Sequence, residues 1–167
     1  RFMLNKTVLI SIDDNSAPLI LKIFFKNNYD ENDKILFNFE YEKMKGIRRQ
    51  ILNKQINNIC PILNMENNPQ EGMIYRQYVE YDLKERIYLM PYLQHIEKIW
   101  ITFQILYALN DLKQMNIIHG DLKPENILLS SNLSVYITDF ASYKPAYISI
   151  DDITNYTYYF GTNNTNS

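Results

Sequence analysis

The stretch that decides the fold is IIHGDLKPENIL, residues 117–128, in which an apolar pair leads into a polar loop and a second apolar run follows. Its polar residues keep fixed intervals: one residue separates His119 from Asp121, and Asn126 follows the acid by five positions. A second acid, Asp139, comes eighteen positions after Asp121, at the end of a short apolar strand. Each of these residue types is common in ordinary turns, so the information lies in the combined spacing.

This spacing resembles the phosphoryl-transfer core of protein kinases. Phosphoryl transfer needs positioning, charge neutralisation and an acceptor for a hydroxyl proton. The resemblance implies that Asp121 accepts the proton and that Lys123 reaches the transferred phosphate. It implies Asn126 and Asp139 as oxygen ligands of Mg²⁺, a hard cation. His119 is expected to hold the loop by packing and hydrogen bonding rather than to act as a base.

The kinase resemblance also implies a lysine on an N-terminal strand and a glutamate on the next helix. Lys22 is the single lysine in the apolar run 19–24, where an unpaired ammonium is costly to bury. We expect it to meet phosphate oxygens; the alternative is an edge-strand lysine that reaches solvent. Residues 33–57 show the 3–4 spacing of a helix, with Glu40 in the apolar stripe. Glu40 is the expected partner of Lys22, with Glu42 or a solvated role for Glu40 as alternatives.

The middle of the chain reads as a hinge followed by helices. Residues 73–79 predict a strand and a linker, in which Gln77 and Val79 would offer backbone groups to an adenine edge. A short helix at 82–88 precedes a long amphipathic helix from His95 to about Gln114. In kinases such a helix forms the centre of the larger lobe. Its expected apolar face comprises Ile96, Ile99, Trp100, Phe103, Leu106, Leu109 and Leu112.

Segments 76–79, 96–106 and 138–147 narrow the resemblance to one branch, with Gly120 after the loop histidine and Ala141 after Asp-Phe as hallmarks. That branch is the protein-kinase-like regulatory subunit of the class III phosphatidylinositol 3-kinase complex, which acts in vacuolar protein sorting and autophagy. The resemblance implies the lipid kinase catalytic subunit as partner. It also implies a place on the cytosolic face of endosomal and autophagic membranes, with any peripheral membrane association made through regions outside this sequence.

Four departures from a standard kinase bear on activity. Gly120 replaces the arginine that clamps a phosphorylated activation loop, so control by loop phosphorylation is not expected. Ala141 replaces a flexible glycine. The first of only four glycines is Gly46, so residues 1–16 offer no glycine-rich loop for phosphate. Arg76 falls where an adenine pocket presents an uncharged side chain, so GTP stands beside ATP as the nucleotide.

Composition sets the outer bounds. With 167 residues, 46% of them hydrophobic, the chain suits one soluble domain. A net charge of −2 gives no electrostatic support for nucleic-acid binding. The single cysteine, Cys60, excludes internal disulfides and fits a reducing compartment. Since no apolar run reaches about 18 residues, no membrane span is expected. The sequence starts without Met and stops at Ser167, inside the expected activation segment, which indicates a fragment or a truncated gene model.

The predicted fold is an α+β, two-lobed, kinase-like domain, truncated within the activation segment. Residues 1–78 would form the smaller lobe, incomplete at its start, and residues 79–160 the first part of the larger lobe. Short strands are expected at Ile127–Leu129 and at 135–138, and residues 161–167 read as a disordered polar tail.

Two functions remain open from the sequence. The first is a serine/threonine protein kinase that uses Mg²⁺ and ATP on an undetermined protein substrate, favoured by the complete set of catalytic-loop residues. The second is a weak or inactive pseudokinase that regulates the lipid kinase, favoured by the changes at Gly120 and Ala141 and by the missing glycine-rich loop. Exposed apolar helix faces are expected to make the isolated chain poorly soluble.

Overall fold

The computed structural model describes residues 6–11, 17–26, 31–140, 149, 151–154 and 157. These residues form an antiparallel sheet followed by helices and a second small sheet, the α+β arrangement expected. Residues 141–148 and 161–167 lie outside the described residues, as do most of residues 1–16, where a glycine-rich loop would lie.

The first sheet has the strand order β1-β2-β4-β3, with antiparallel neighbours throughout. The strands are β1 (Lys6–Ile10), β2 (Leu19–Phe25), β3 (Ile62–Asn67) and β4 (Glu71–Gln77). The helix α1 (Glu31–Lys54) connects β2 to β3. As β2 and β4 are both central, the strand that carries the expected nucleotide lysine is paired along both edges.

Helix α1 packs on the sheet through buried aromatic and aliphatic side chains. The rings of Phe24 and Phe37 lie 5.5 Å apart between β2 and α1. A Cβ added at Gly72 of β4 would stand only 2.4 Å from the Phe37 ring, so any larger residue there would force the ring or the helix to shift. The helix starts two residues before the expected 33–57 and ends three residues earlier, because Gln55 takes a left-handed conformation with φ 52°.

The second sheet has the order β5-β6-β7 and is also antiparallel. Its strands are β5 (Tyr81–Asp82), β6 (Ile127–Leu129) and β7 (Val135–Ile137), of which β7 ends one residue before the expected 138. Two helices lie between β5 and β6: α2 (Leu83–Tyr88) and α3 (His95–Gln114). The boundaries expected for the long helix and for β6 are confirmed.

The segment after α1 joins the two sheets. The backbone N–H of Cys60 donates to the carbonyl of Ile137 at 2.8 Å, and Ile137 donates to Asn58 at 2.9 Å. Ile59, between them, is 1% exposed. One apolar cluster of described residues extends from α1 through Ile59 to α3 and the second sheet; it comprises Ile47, Ile51, Ile59, Leu93, Ile101, Ala108, Leu112, Met115, Ile117, Ile127, Leu129, Val135 and Ile137.

The prediction of which side of α3 is buried is wrong for most of the helix. Ile101, Gln104, Ala108 and Leu112 are the buried residues of this helix. The other side of α3 carries exposed apolar side chains, namely Ile96, Ile99, Trp100, Phe103, Leu106 and Tyr107. Because apolar residues surround the helix, periodicity alone could not select the buried side. Within the described part of the chain, no helix has the length and hydropathy of a membrane span.

Candidate active site

The loop that precedes β6 is shaped by local backbone conformations. Helix α3 ends at Gln114, and Asn116 turns the chain with φ 55°. Gly120 has φ 78°, a conformation that glycine adopts without the steric cost of a side chain. Pro124 then starts a single turn of 3₁₀ helix, Pro124–Asn126, since its ring presets the required φ. The polar residues of the motif are thereby held on a folded loop.

His119 holds this loop as expected from the sequence. Its Nε2 lies 2.8 Å from the carbonyl oxygen of Thr138, and its Nδ1 accepts the backbone N–H of Asp121 at 3.2 Å. Its ring also packs 4.8 Å from the ring of Phe140, centroid to centroid. One nitrogen donates and the other accepts, so the imidazole is neutral. Burial lowers the pKa of His119 from its ordinary 6.5, which also favours the neutral form.

Asp121, Lys123 and Asn126 form one hydrogen-bonded group. The Asn126 amide donates to the Asp121 backbone carbonyl at 2.7 Å and to Asp121 Oδ2 at 3.1 Å. Lys123 Nζ lies 2.9 Å from the same Oδ2. This hydrogen bond is the main cause that raises the pKa of Lys123. The loop therefore presents an oriented carboxylate next to a cation.

Asp139 lies beyond β7 and faces the first sheet. It has φ 62°, which is unusual for a residue other than glycine and is frequent at functional sites. Its Oδ1 forms an ion pair with Lys22 Nζ. The Lys22 side chain is 15% exposed and that of Asp139 38%, so the pair is reachable from solvent. The sequence-predicted lysine and the second acid are thus brought together, over 117 positions of the chain.

The structure leaves the predicted roles of Glu40, Gln77 and Val79 untested. Glu40 lies within α1, but its side chain is outside the described residues, so its pairing with Lys22 stays a prediction. Gln77 ends β4, where its N–H donates to the Pro61 carbonyl at 3.3 Å and its own carbonyl accepts from Arg76 Nη1 at 3.2 Å. Val79 follows in the linker expected from the sequence. The adenine contacts of Gln77 and Val79 also stay predictions.

A cavity of about 490 Å³ opens beside the Lys22–Asp139 pair. Its walls are mostly apolar and come from α1, from the segment after α1 and from the sheet, for example Met44, Ile59 and Ile74. Arg76 also lines the cavity, and its Nε is buried with no hydrogen-bond partner. Arg76 therefore lies against the candidate site, and its effect on the choice between ATP and GTP stays a prediction.

The donor set suits Mg²⁺ held together with phosphate. Within the described part of the chain, no three His, Cys, Asp or Glu side chains form a metal cluster. Mg²⁺ usually takes one or two protein oxygens and completes its shell with water and substrate phosphates. The Asn126 side chain directs its amide nitrogen to Asp121, which leaves its side-chain oxygen, Oδ1, for a cation. Asn126 and Asp139 fit such a shared site.

Sequence reasoning missed the cavity and the contribution of Cys60 to it. Cys60 is buried, and burial raises the pKa of its thiol. It lines the cavity together with Arg48 and Arg76. The three residues lie apart in sequence; Arg76 comes beside the segment of Cys60 because β4 pairs with β3, where Arg76 lies opposite Ile62, and Arg48 of α1 donates to the Ile62 carbonyl at 2.6 Å. No local sequence motif predicts this arrangement.

Comparison with known proteins accounts for nearly the whole chain. A protein kinase domain family matches residues 7–164. The chain is 33% identical over 154 residues to the serine/threonine-protein kinase VPS15 of Arabidopsis thaliana, a match that covers 92% of this chain. It is 35% identical to VPS15 of Saccharomyces cerevisiae over 154 residues, covering 89% of this chain. It is 34% identical to the probable kinase vps15 of Dictyostelium discoideum over 148 residues, covering 86% of this chain.

These matches confirm the sequence-based resemblance to the vacuolar-protein-sorting branch. The chain spans 10% of the Arabidopsis and Saccharomyces relatives and 7% of the Dictyostelium relative. What those much longer proteins do as a whole does not follow from the part they share with this chain.

Proposed function

The chain belongs to the protein kinase family, and from this premise we propose that it transfers the γ-phosphoryl group of ATP to a serine or threonine hydroxyl of a protein. The observation that carries the proposal is the group formed by Asp121, Lys123 and Asn126, next to Asp139 and Lys22. A proton acceptor, two cations and two oxygen ligands for a metal are the parts that phosphoryl transfer requires.

The residues of the loop would divide the reaction as follows. Asp121 orients the acceptor hydroxyl and takes its proton while the new oxygen–phosphorus bond forms. The bond between the γ-phosphorus and the bridging oxygen breaks, and ADP leaves with the electron pair. Lys123, 2.9 Å from Asp121, neutralises charge on the phosphoryl group in transfer. Asn126 keeps the carboxylate in place through its amide hydrogen bond.

The nucleotide would be held by residues on both sides of the cavity. Asn126 and Asp139 would hold Mg²⁺, which neutralises phosphate charge when bound. Lys22 would exchange its ion pair with Asp139 for phosphate oxygens. Gln77 and Val79 would present backbone groups to the base. Arg76 lines this cavity with a buried, unpartnered Nε, so GTP is a second nucleotide to be compared with ATP.

A pseudokinase is the second candidate, and one specific observation favours it. The Lys22 ammonium and the Asp139 carboxylate neutralise each other, although catalysis needs one for phosphate and the other for metal. Under this proposal the Lys22–Asp139 pair persists, the chain transfers no phosphate, and it regulates the catalytic subunit of a class III phosphatidylinositol 3-kinase. The resemblance of the sequence to the regulatory-subunit branch supports this partner, and the matched relatives carry the VPS15 name. Its place would be the cytosolic face of endosomal or autophagic membranes.

The deciding experiment compares phosphoryl transfer by the full-length protein with that by the Asp121→Asn variant. Transfer from labelled Mg²⁺·ATP and Mg²⁺·GTP to a mixed protein substrate is measured at equal concentrations of folded protein. Loss of the proton acceptor is expected to lower the rate by roughly 10² to 10⁴-fold. Nucleotide binding should persist, since Asp121 is not assigned to the metal.

A matched control is Asp111→Asn, which changes a carboxylate in the last turn of α3, outside the site. It should leave transfer unchanged. Equal transfer by wild type and Asp121→Asn would point to a contaminating kinase. No transfer by wild-type protein that binds nucleotide would support the pseudokinase.

A further inference from the structure

Lys26 is a buried cation next to the end of β2. It is 5% exposed, although ammonium groups are rarely buried without compensation. Its Nζ donates to the Asn67 side-chain oxygen and to the Asn68 carbonyl, the latter at 2.7 Å, and it lies 3.4 Å from Asn38 Oδ1. Among the described residues no carboxylate forms an ion pair with it; its partners are neutral oxygens and the Phe37 ring of α1, whose centroid lies 5.2 Å from Nζ. Burial lowers the pKa of Lys26, which shows the cost of this position.

These contacts join separate elements of the first sheet and its helix. Asn38 belongs to α1, Asn67 ends β3, and Asn68 stands in the turn before β4. Asn67 also donates its amide to Asn38 Oδ1 at 3.1 Å. We refer to Lys26, Asn38, Asn67 and Asn68 as the α1 clamp.

The turn that contains Asn68 is fixed by several hydrogen bonds. The Asn68 side chain accepts the backbone N–H groups of Gln70 and Glu71 at 2.9 and 2.8 Å, which closes the turn. The N–H of Lys26 donates to the Gln70 carbonyl at 2.8 Å. Lys26 is therefore fixed to this turn by both its backbone and its side chain, and α1 is the element that the clamp can hold or release.

Helix α1 forms one wall of the candidate nucleotide site. Met44 and Arg48 of this helix line the same cavity as Lys22 and Asp139. Lys22 belongs to β2, the strand that ends next to Lys26. Asn38 lies in the same helix, six positions before Met44. A shift of α1 along β2 would therefore change the wall beside the two residues assigned to phosphate and metal.

We propose that Lys26 is a positioning residue for the nucleotide site, acting through the α1 clamp to hold α1 in its place against β2. The proposal rests on the proposed function insofar as the site takes a nucleotide. The clamp itself makes a separate prediction for the mobility of α1, which does not depend on any ligand.

The test replaces Lys26 by Met in the full-length protein. This change keeps the length of an apolar stem and removes the donors to three oxygens. Two quantities are measured: the Kd for Mg²⁺·ATP, and hydrogen exchange of the α1 amides without nucleotide. We expect the Kd to rise about tenfold, the scale of a lost hydrogen bond to a charged group, and α1 exchange to accelerate. Lys45→Met is the control, because Lys45 is an exposed α1 cation paired with Glu42.

A second variant, Asn38→Ala, protects the test against a folding failure. It removes the acceptor on the helix and leaves Lys26 with Asn67 and Asn68. We expect the same two effects at smaller size, and a double variant whose effects are less than additive.

The outcomes separate the clamp from the proposed function. Faster α1 exchange with an unchanged Kd would reduce Lys26 to a structural residue and overturn the positioning role. Unchanged exchange in both variants would overturn the clamp. Failure of wild-type protein to bind nucleotide would refute the proposed nucleotide site and with it the positioning role. A raised Kd with faster exchange, absent in Lys45→Met, supports the proposal.

Discussion

His119 shows, at the scale of one residue, how the loop and the strand after it are tied together. Both of its ring nitrogens are engaged, one with Thr138 and one with Asp121. Thr138 immediately precedes Asp139, so the imidazole links the expected base to the expected metal ligand. A proton on Nδ1 would remove its ability to accept the Asp121 N–H.

We predict that this link weakens in mild acid. The pKa of His119 is lowered in the folded state, so the unfolded chain binds the proton more readily. The contribution of the neutral imidazole is complete above the ordinary pKa of 6.5 and declines as the pH falls below it, toward the folded pKa. The free energy of unfolding, measured by urea denaturation from pH 7.5 to 5, should fall less steeply in His119→Gln than in wild type. His95→Gln changes the other histidine and should retain the wild-type slope.

A second prediction concerns the Lys22–Asp139 pair. Asp139→Asn removes the carboxylate proposed for Mg²⁺ and releases Lys22. Affinity for Mg²⁺·ATP should fall by roughly 10–100-fold, the range for a lost charged contact. Affinity for metal-free ATP should be equal or higher, because the ammonium no longer has a competing partner. Isothermal titration with and without EDTA measures both. Unchanged Mg²⁺ dependence in the variant would show that Asp139 does not hold the metal.

Individual site residues were predictable to the extent that they belong to a spaced motif. Asp121, Lys123 and Asn126 lie within six positions of one another, so the loop itself brings them together. The kinase resemblance assigned Lys22 and Asp139 to one site, but their contact was not predicted, since Lys22 was expected to meet phosphate oxygens and Glu40 and no local pattern relates two residues so far apart. The unpartnered Arg76 Nε was out of reach, because it depends on how α1 and β4 enclose the cavity.

At the scale of elements, the approach of α1 to β4 depends on Gly72. Gly72→Ala would place a methyl group within 2.4 Å of the Phe37 ring, which is itself buried. We expect a loss of about 1–3 kcal/mol in the free energy of unfolding, the usual range for overpacking. Denaturant unfolding followed by circular dichroism measures the change.

Gly46→Ala is the matched control for this prediction. Gly46 lies in α1, and a Cβ there would meet nothing within 4 Å. Alanine should stabilise the helix by about 0.5–1 kcal/mol. Equal effects of the two substitutions would mean that helix propensity, not the contact with Phe37, governs both positions.

The helices show where sequence periodicity stops being informative. The bounds of α3 were correct because no Pro or Gly interrupts residues 95–114 and Glu97 accepts the backbone N–H of Gln94 at its start. The prediction of its buried side was wrong because Gln104, a polar residue, points inward. Gln104 donates to the Leu133 carbonyl at 2.8 Å and accepts from Asn58 and Val135 at 3.2 and 3.1 Å. A buried amide with all these partners cannot be recognised from the sequence before the fold is known.

At the scale of the whole molecule, the exposed side of α3 carries a row of apolar side chains among the described residues. Trp100, Phe103 and Tyr107 follow one another along the helix, with ring centroids 5.7 and 6.3 Å apart. Contiguous apolar surfaces of this kind promote association in water. The poor solubility expected of the isolated chain stays a prediction, and this row of side chains is its candidate cause.

We therefore predict that Phe103→Gln combined with Leu106→Gln lowers self-association of the chain. Both side chains are more than half exposed, 56% and 61%, so the fold should tolerate the change. Light scattering across a concentration series measures the association, and circular dichroism confirms the helix content. Ile153→Gln serves as a control, because this residue is 73% exposed and lies outside α3. Equal association of all three proteins would exclude this surface as its cause.

The same surface gives the molecule a built-in optical probe. Trp100 is the only tryptophan of the chain and is half exposed, stacked against Phe103. Its emission should be that of an indole in contact with water, and quenchable by iodide or acrylamide. Any protein segment or lipid that covers α3 would shift the emission to the blue and shield it from quencher. No residue of α3 lines the cavity beside Lys22, so nucleotide entering that cavity should leave the emission unchanged, and the fluorophore would report on coverage of α3 alone.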